Sequence, residues 1–261
     1  MRIRLIYLIV SIVYVSLSAS SEIYAQTEGN AQLRFDQAGD LLSENKYLEA
    51  MDMYRSLERD GYASGPLFLN MGIISAQQDS LGLAKYYFLK ASGFDDFEED
   101  ALEGLAYVES RFSRQSAVLP KLPWERALEW MNLNIGAVTI FVIGLLILTL
   151  GILLVVLFWL KVTNKTLLSA SYYSIPLGLI VLILAFYVDY QDTKYAQAIM
   201  ISEQTNVVES ALNTSRLVSL AYEGYSFTID QHKSEDIDGW SYVRMSNGLF
   251  GWIESQHLKV L

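Results

Sequence analysis

Cysteine is absent from the 261-residue chain, and only two histidines and four prolines occur in it. Without cysteine there is no disulfide, thiolate metal site, cysteine nucleophile or lipidated cysteine anchor. The histidines, His232 and His257, fall in the C-terminal tail without helical metal-ligand spacing, and no serine stands in a nucleophile-elbow context. A glycine-rich phosphate loop with its lysine is also missing. Basic clusters are lacking too: the net charge is −10, residues 26–119 carry 16 acids against 8 bases, and residues 189–261 carry 10 against 5. Such a chain does not attract phosphate backbones, so nucleic acid is not an expected partner. No catalytic residue, metal or cofactor is expected, and the reading is not that of an enzyme. A carboxylate pair assembled by the fold is the one catalytic device the sequence leaves open.

What is present is hydrophobic and unevenly placed. Mean hydropathy is +0.25 with 52% hydrophobic residues, concentrated in three segments. The first has the form of an export signal: Arg2 and Arg4, an apolar run of 13 residues from Leu5 to Leu17, then small residues to Ala25. Cleavage after Ser20 or Ala25 fits, and an uncleaved anchor would export the following segment equally. The second, Ile135 to Leu160, would span about 39 Å as a helix. The third, Leu167 to Val188, is charge-free, with Pro176 expected in its first turn. Both are flanked by aromatics suited to a headgroup region, Trp124, Trp130 and Trp159 for one and Tyr172, Tyr173, Tyr187 and Tyr190 for the other. A buried hairpin of a soluble core is the alternative. Lys161 and Lys165 make the short connection basic, which places residues 161–166 in the cytoplasm and both flanking regions outside. Neither span contains Asp, Glu, Lys, Arg or His, which argues against a channel or pump.

Between the first two segments the chain repeats. Ala38 and Gly72, Leu41 and Ser75, Tyr47 and Leu81, Ala50 and Ala84, Tyr54 and Phe88, and Leu57 and Ala91 are each 34 residues apart. That is the tetratricopeptide period, two helices per unit. Helices are predicted at 31–44, 47–58, 66–78 and 81–91, with turns at Ser43-Glu44-Asn45 and Gln78-Asp79-Ser80. A capping helix follows from Glu99. Asp95, Asp96, Glu98, Glu99 and Asp100 resemble a cation site, but they stand where a helix N-terminus favours negative charge. In the tetratricopeptide resemblance the first helix of each unit lines the concave face, which here assigns Phe35, Leu42, Leu69, Asn70, Ile73 and Tyr107 to partner binding, Asn70 through its hydrogen-bonding amide. The alternative is that Phe35 and Leu42 pack against neighbouring segments of the chain.

After Tyr190 the pattern becomes that of strands, at 198–202, 217–221, 226–229, 240–245 and 249–253, five to six in all. Asn247-Gly248 is a two-residue hairpin signal requiring positive φ at both positions. Glu223-Gly224, Gly239-Trp240, Asn247-Gly248, Gly251-Trp252-Ile253 and Leu258 together resemble bacterial SH3-like domains, although Val207 to Ser210 lack the usual arginine and proline. Trp240, Tyr242 and Trp252 would form an aromatic groove for a peptide or peptidoglycan fragment; packing into the core is the competing reading.

The expected architecture is a multidomain membrane protein. A signal (1–25) precedes an all-α repeat domain (31–112, as 31–64, 65–98 and a capping helix 99–112) and a linker (113–134). A transmembrane hairpin (135–160 and 167–188) follows, then a small all-β SH3-like barrel (197–261). This order resembles the BatE-type proteins of bacterial aerotolerance operons. The resemblance implies a two-pass protein of a Gram-negative inner membrane with both soluble domains periplasmic. It also implies von Willebrand A-domain proteins, a BatD-like protein and a MoxR-type ATPase as partners. The function expected is a scaffold; a cell-wall receptor using the SH3-like domain is the alternative.

Overall fold

The computed structural model describes residues 29–114, 119–120, 122–160, 165–212 and 214–261. The expected signal and Lys161 lie outside the described residues. The chain divides into two compact units, one ending at Ser113 and one spanning Arg114–Val260.

The first unit is helical. Helix α1 covers residues 29–43, followed by α2 (Tyr47–Arg59), α3 (Gly65–Gln77), α4 (Leu81–Ala91), a 3-10 turn (Asp95–Phe97) and α5 (Glu98–Arg111). The turns repeat as the helices do. Asn45 and Asp79, 34 positions apart, are the only non-glycine residues at positive φ among those described, 60° and 59°. Asn and Asp tolerate this region because their short polar side chains bond locally. Ser64 caps α3 by accepting from the Leu67 N–H, with Pro66 in the first turn where no backbone donor is required. Glu98, Glu99 and Asp100 occupy the first turn of α5, opposite the positive end of its dipole.

Packing in this unit is large against small. Phe88 sits in a core with Ala76, Leu81, Ala84, Leu105 and Val108, and its burial stabilises by roughly 1.5–3 kcal/mol. Its ring is received by backbone: a Cβ added at Gly72 or at Gly104 would come within 2.7 Å of it. Those glycines let α3 and α5 close on α4 from two sides.

The second unit opens with a difference from expectation. Residues 123–134, expected to be linker, form helix α6 (Pro123–Asn134), started by Pro123 and by the Glu125 carboxylate accepting from the Leu122 N–H. Gly136, at φ +76°, separates it from α7 (Ala137–Trp159). Helix α8 (Lys165–Lys194) lies antiparallel to α7: a Cβ on Gly144 would meet Leu182, one on Gly178 would meet the Leu148 backbone, and one on Gly151 would meet Ile175. Small residues at such contacts allow the close approach typical of helix pairs in lipid. Both helices are long and apolar enough to cross a membrane.

Pro176 is not in the first turn of α8 but well inside it, because the helix begins at Lys165. In the turns before it Ser171 and Ser174 donate their hydroxyls to the Leu168 and Ser171 carbonyls. At its other end α8 outruns its apolar stretch and leads into the first strand at Tyr195 with no linker.

The remainder is one seven-stranded antiparallel sheet: β1 (Tyr195–Met200), β2 (Gln204–Val208), β3 (Leu217–Tyr222), β4 (Ser226–Asp230), β5 (Trp240–Met245), β6 (Phe250–Glu254) and β7 (Leu258–Val260). A one-turn helix α9 (Gln231–Ser234) follows β4. The order is β3-β2-β6-β5-β4-β1-β7. Its buried side is mostly aliphatic, with Met200, Val207, Ile229, Val243, Met245 and Ile253 around Phe227. The Asn247-Gly248 turn differs from the expected two-residue form. The Gly248 N–H bonds the Met245 carbonyl and the Met245 N–H bonds the Leu249 carbonyl, leaving three residues in the loop, and only Gly248 has positive φ, +85°. That is the three-residue hairpin with glycine at its left-handed position. Asn247 instead accepts the Leu249 N–H through its side chain.

Candidate functional site

In the helical unit, α3 and α5 bound a groove of about 390 Å³. Leu69, Ile73, Ala76 and Gln77 line it from α3, Asp100, Glu103, Gly104 and Tyr107 from α5, and Phe88 forms part of its floor. The helix period explains the gathering. Positions 100, 103, 104 and 107 recur at i, i+3, i+4 and i+7, while Ala101, Leu105 and Val108 turn to the core. Ile73 and Tyr107 are 37% and 52% exposed, large apolar surface left open to solvent. Arg111 donates to the Tyr107 hydroxyl at 3.0 Å, its guanidinium carbon 5.7 Å from the ring centroid, and pairs with Asp79 at 2.9 Å, bracing that wall. Hydrogen bonding to Tyr107 and the nearby Asp79 charge raise the Arg111 pKa. Asp100 and Glu103 have no ion-pair or side-chain hydrogen-bond partner among the described residues, so the groove offers apolar area beside carboxylates that no side chain pairs.

Of the six residues expected on this surface, the structure brings Leu69, Ile73 and Tyr107 together. Asn70 is turned elsewhere: its amide donates to the Tyr54 hydroxyl at 2.9 Å. Phe35 packs against the same Tyr54 ring, with centroids 5.5 Å apart. Both thus support the α1–α2–α3 packing, and Leu42 is half-buried on α1 away from the groove. Burial raises the Tyr54 phenol pKa, and the Asn70 hydrogen bond offsets part of that rise. Asp100 was not expected there because the acidic run that includes it was assigned to the helix start, and Glu103 was not singled out. Their helical phase with Tyr107 was the available signal.

In the sheet unit, Trp240, Tyr242 and Trp252 do not enter the core. Alternation on β5 buries Ser241, Val243 and Met245 and turns Trp240, Tyr242 and Arg244 outward; on β6 it buries Gly251 and Ile253 and turns Phe250 and Trp252 outward. Tyr242 pairs directly with Trp252 across the strands. Their rings meet edge-on at 5.2 Å, and Phe250, unanticipated but in the same phase as Trp252, stacks on Tyr242 at 6.2 Å. The Lys233 ammonium lies 4.2 Å from the Tyr242 centroid. Trp240 shares the face one pair further along, opposite Glu254.

Ser202, His257 and Glu254 also come together. The Ser202 hydroxyl is 2.8 Å from His257 Nδ1, while His257 Nε2 is 3.6 Å from the Glu254 carboxylate. A serine, an imidazole and a carboxylate in series are the parts of an activated nucleophile. Here the second distance exceeds a hydrogen bond, and the carboxylate is held by Gln256 at 2.6 Å. With the Ile201 N–H on the His257 carbonyl, the group ties the turn after β1 to the approach to β7. No protein-family model matches the chain, and no curated protein matches it.

Proposed function

We propose that the chain is a membrane-anchored periplasmic scaffold of the BatE type: tetratricopeptide-like repeats holding a protein partner, a two-span anchor, and an SH3-like domain. The observation that carries this reading is the α3–α5 groove, apolar and exposed at Leu69, Ile73 and Tyr107 and flanked by Asp100 and Glu103. Exposed apolar surface of this kind marks interaction sites. The rim selects a segment carrying Lys or Arg beside its apolar residues, since unlike charges attract across a partly desolvated interface. The order of export signal, repeats, spans and small β domain supports the BatE-type assignment, with a von Willebrand A-domain protein, a BatD-like protein or a MoxR-type ATPase as the partner expected. The basic Lys161–Lys165 connection supports a periplasmic placement of both soluble regions.

The test is capture from gently solubilised membranes. Leu69→Glu combined with Ile73→Glu should release co-purifying membrane partners while helical circular dichroism is unchanged. Partners retained by a folded double variant would remove the groove from the proposal. A second reading, a cell-wall receptor, is favoured by the outward Tyr242–Trp252–Phe250 cluster. Deleting residues 197–261 should abolish binding of peptidoglycan fragments on that reading and spare partner capture on the first.

A further inference from the structure

Helix α6 has an apolar side that the described residues cover only in part. Along it Trp124, Ala127, Leu128, Met131 and Ile135 recur at i, i+3, i+4, i+7 and i+11, one side of a helix, whereas Glu125, Arg126 and Asn132 fall on the other. Leu128, Met131 and Ile135 pack against the cluster of Ile140, Ala185 and Val188, where α7 and α8 leave their apolar stretch. The contacts of Gly144 with Leu182 and of Gly178 with Leu148 set the pairing level, so Val188 stands near residue 138 of α7. Were α6 a straight extension of α7, Leu128 would lie about 15 Å past that level. It packs there instead because Gly136, at φ +76°, breaks the helix, and the Ile135 and Gly136 N–H groups both close α6 on the Met131 carbonyl.

With Leu128 and Met131 against the hairpin, the adjoining side of the helix, Ala127 and Trp130, is left open; Trp124 and Trp130 are 61% and 58% exposed. The spans carry exposed apolar side chains of their own next to this junction, at Val138, Phe141 and Phe186, the last two in ring contact. On the polar side Asn132 donates to Asp192 at 2.8 Å, fastening α6 to the stretch of α8 that runs into β1.

We infer that α6 is an in-plane helix whose occupant is the bilayer interface, with Trp124, Ala127 and Trp130 seated at headgroup depth and Glu125 and Arg126 facing water. An amphipathic helix with tryptophan on its apolar side and charge on the other binds there. Because α6 is fastened to α8 and α8 continues without linker into β1, the interface contact also sets the height of the sheet unit above the membrane. The inference rests on the membrane-spanning reading of α7 and α8.

The chain has no cysteine, so single nitroxide labels can be placed directly in the full-length protein, reconstituted in phosphatidylcholine–phosphatidylglycerol vesicles. Ala127→Cys reports the open side, Arg126→Cys the polar side, and Val142→Cys, exposed on α7, the span itself. Power-saturation measurements compare collisions with oxygen, which partitions into lipid, and with a water-soluble nickel chelate. The expected result is a lipid signature at 142 and an oxygen-to-nickel ratio several-fold higher at 127 than at 126. Equal, water-like values at 126 and 127 beside a lipid-like 142 would overturn the in-plane helix and leave the spans standing. A water-like 142 would overturn both.

Discussion

The glycines around Phe88 allow a prediction whose sign depends on the packing described. Replacing a helical glycine by alanine ordinarily stabilises by about 0.8–1.0 kcal/mol through backbone entropy. At Gly104 the new methyl would lie 2.7 Å from Phe88 Cε1 and Cζ, and the ring has no retreat because Gly72 backs it at a comparable distance. Overpacking of this kind costs about 1–3 kcal/mol, so Gly104→Ala should destabilise by a net of roughly 0–2 kcal/mol. At Gly39 in α1 the nearest atom to the new methyl is the Tyr54 hydroxyl at 3.8 Å, an ordinary contact. Gly39→Ala should therefore stabilise by up to about 1 kcal/mol. For a fragment of this size each kcal/mol moves the midpoint by about 4–8 °C. Thermal circular dichroism of residues 29–113 should show the two alanines shifting Tm in opposite directions. In a Phe88→Leu background the Gly104→Ala penalty should shrink, since contacting residues are not additive. Two stabilising alanines, or full additivity with Phe88→Leu, would refute the argument that the ring is trapped.

Two further outcomes are expected. Gly248→Val puts a β-branched residue at φ +85° with its Cβ 2.9 Å from Leu119 Cδ1; the strain should cost about 1–3 kcal/mol and speed hydrogen exchange of β5 and β6 amides in the full chain, and unchanged exchange would contradict the turn geometry. Burial, with the Glu58 charge second, raises the Tyr87 phenol pKa, and burial also raises that of Tyr54. The folded unit then keeps protons that the unfolded chain releases above about pH 10, so stability present below that pH is lost as pH rises through the raised values. The urea midpoint of residues 29–113 should fall across that range and fall less in Tyr87→Phe; a flat midpoint would sink the idea.

Local periodicity identified the repeat helices, the two long apolar helices and five of the seven strands, but not α6, β2 or β7. The 34-residue spacing located α2, α3 and α4 within a residue or so, and the positions of the left-handed Asn45 and Asp79 follow from it. Charge-free apolar length was enough to find α7 and α8, because the requirement for internally satisfied backbone in lipid is written in composition alone. Trp240, Tyr242 and Trp252 could be named from sequence as a groove or as core, and the β5–β6 register put them on one face. Which phase faced the core was not local information: it depends on Val207 of β2 meeting β6 closely enough that only glycine fits at 251, a contact between segments distant in sequence.

Tertiary structure alone decided the remainder. Helix α6 is short, and its apolar side acquires meaning only from the hairpin end it packs against. Pro176 was misplaced because the start of a helix is set by its neighbours as much as by its own residues. Asn70 left the groove for Tyr54, and Asp100 and Glu103 entered it, because the rotation of α3 and α5 is fixed where Gly72 and Gly104 close on Phe88. Sequence determined which faces were apolar; the packing of those faces determined what remained exposed for a partner or a lipid to touch.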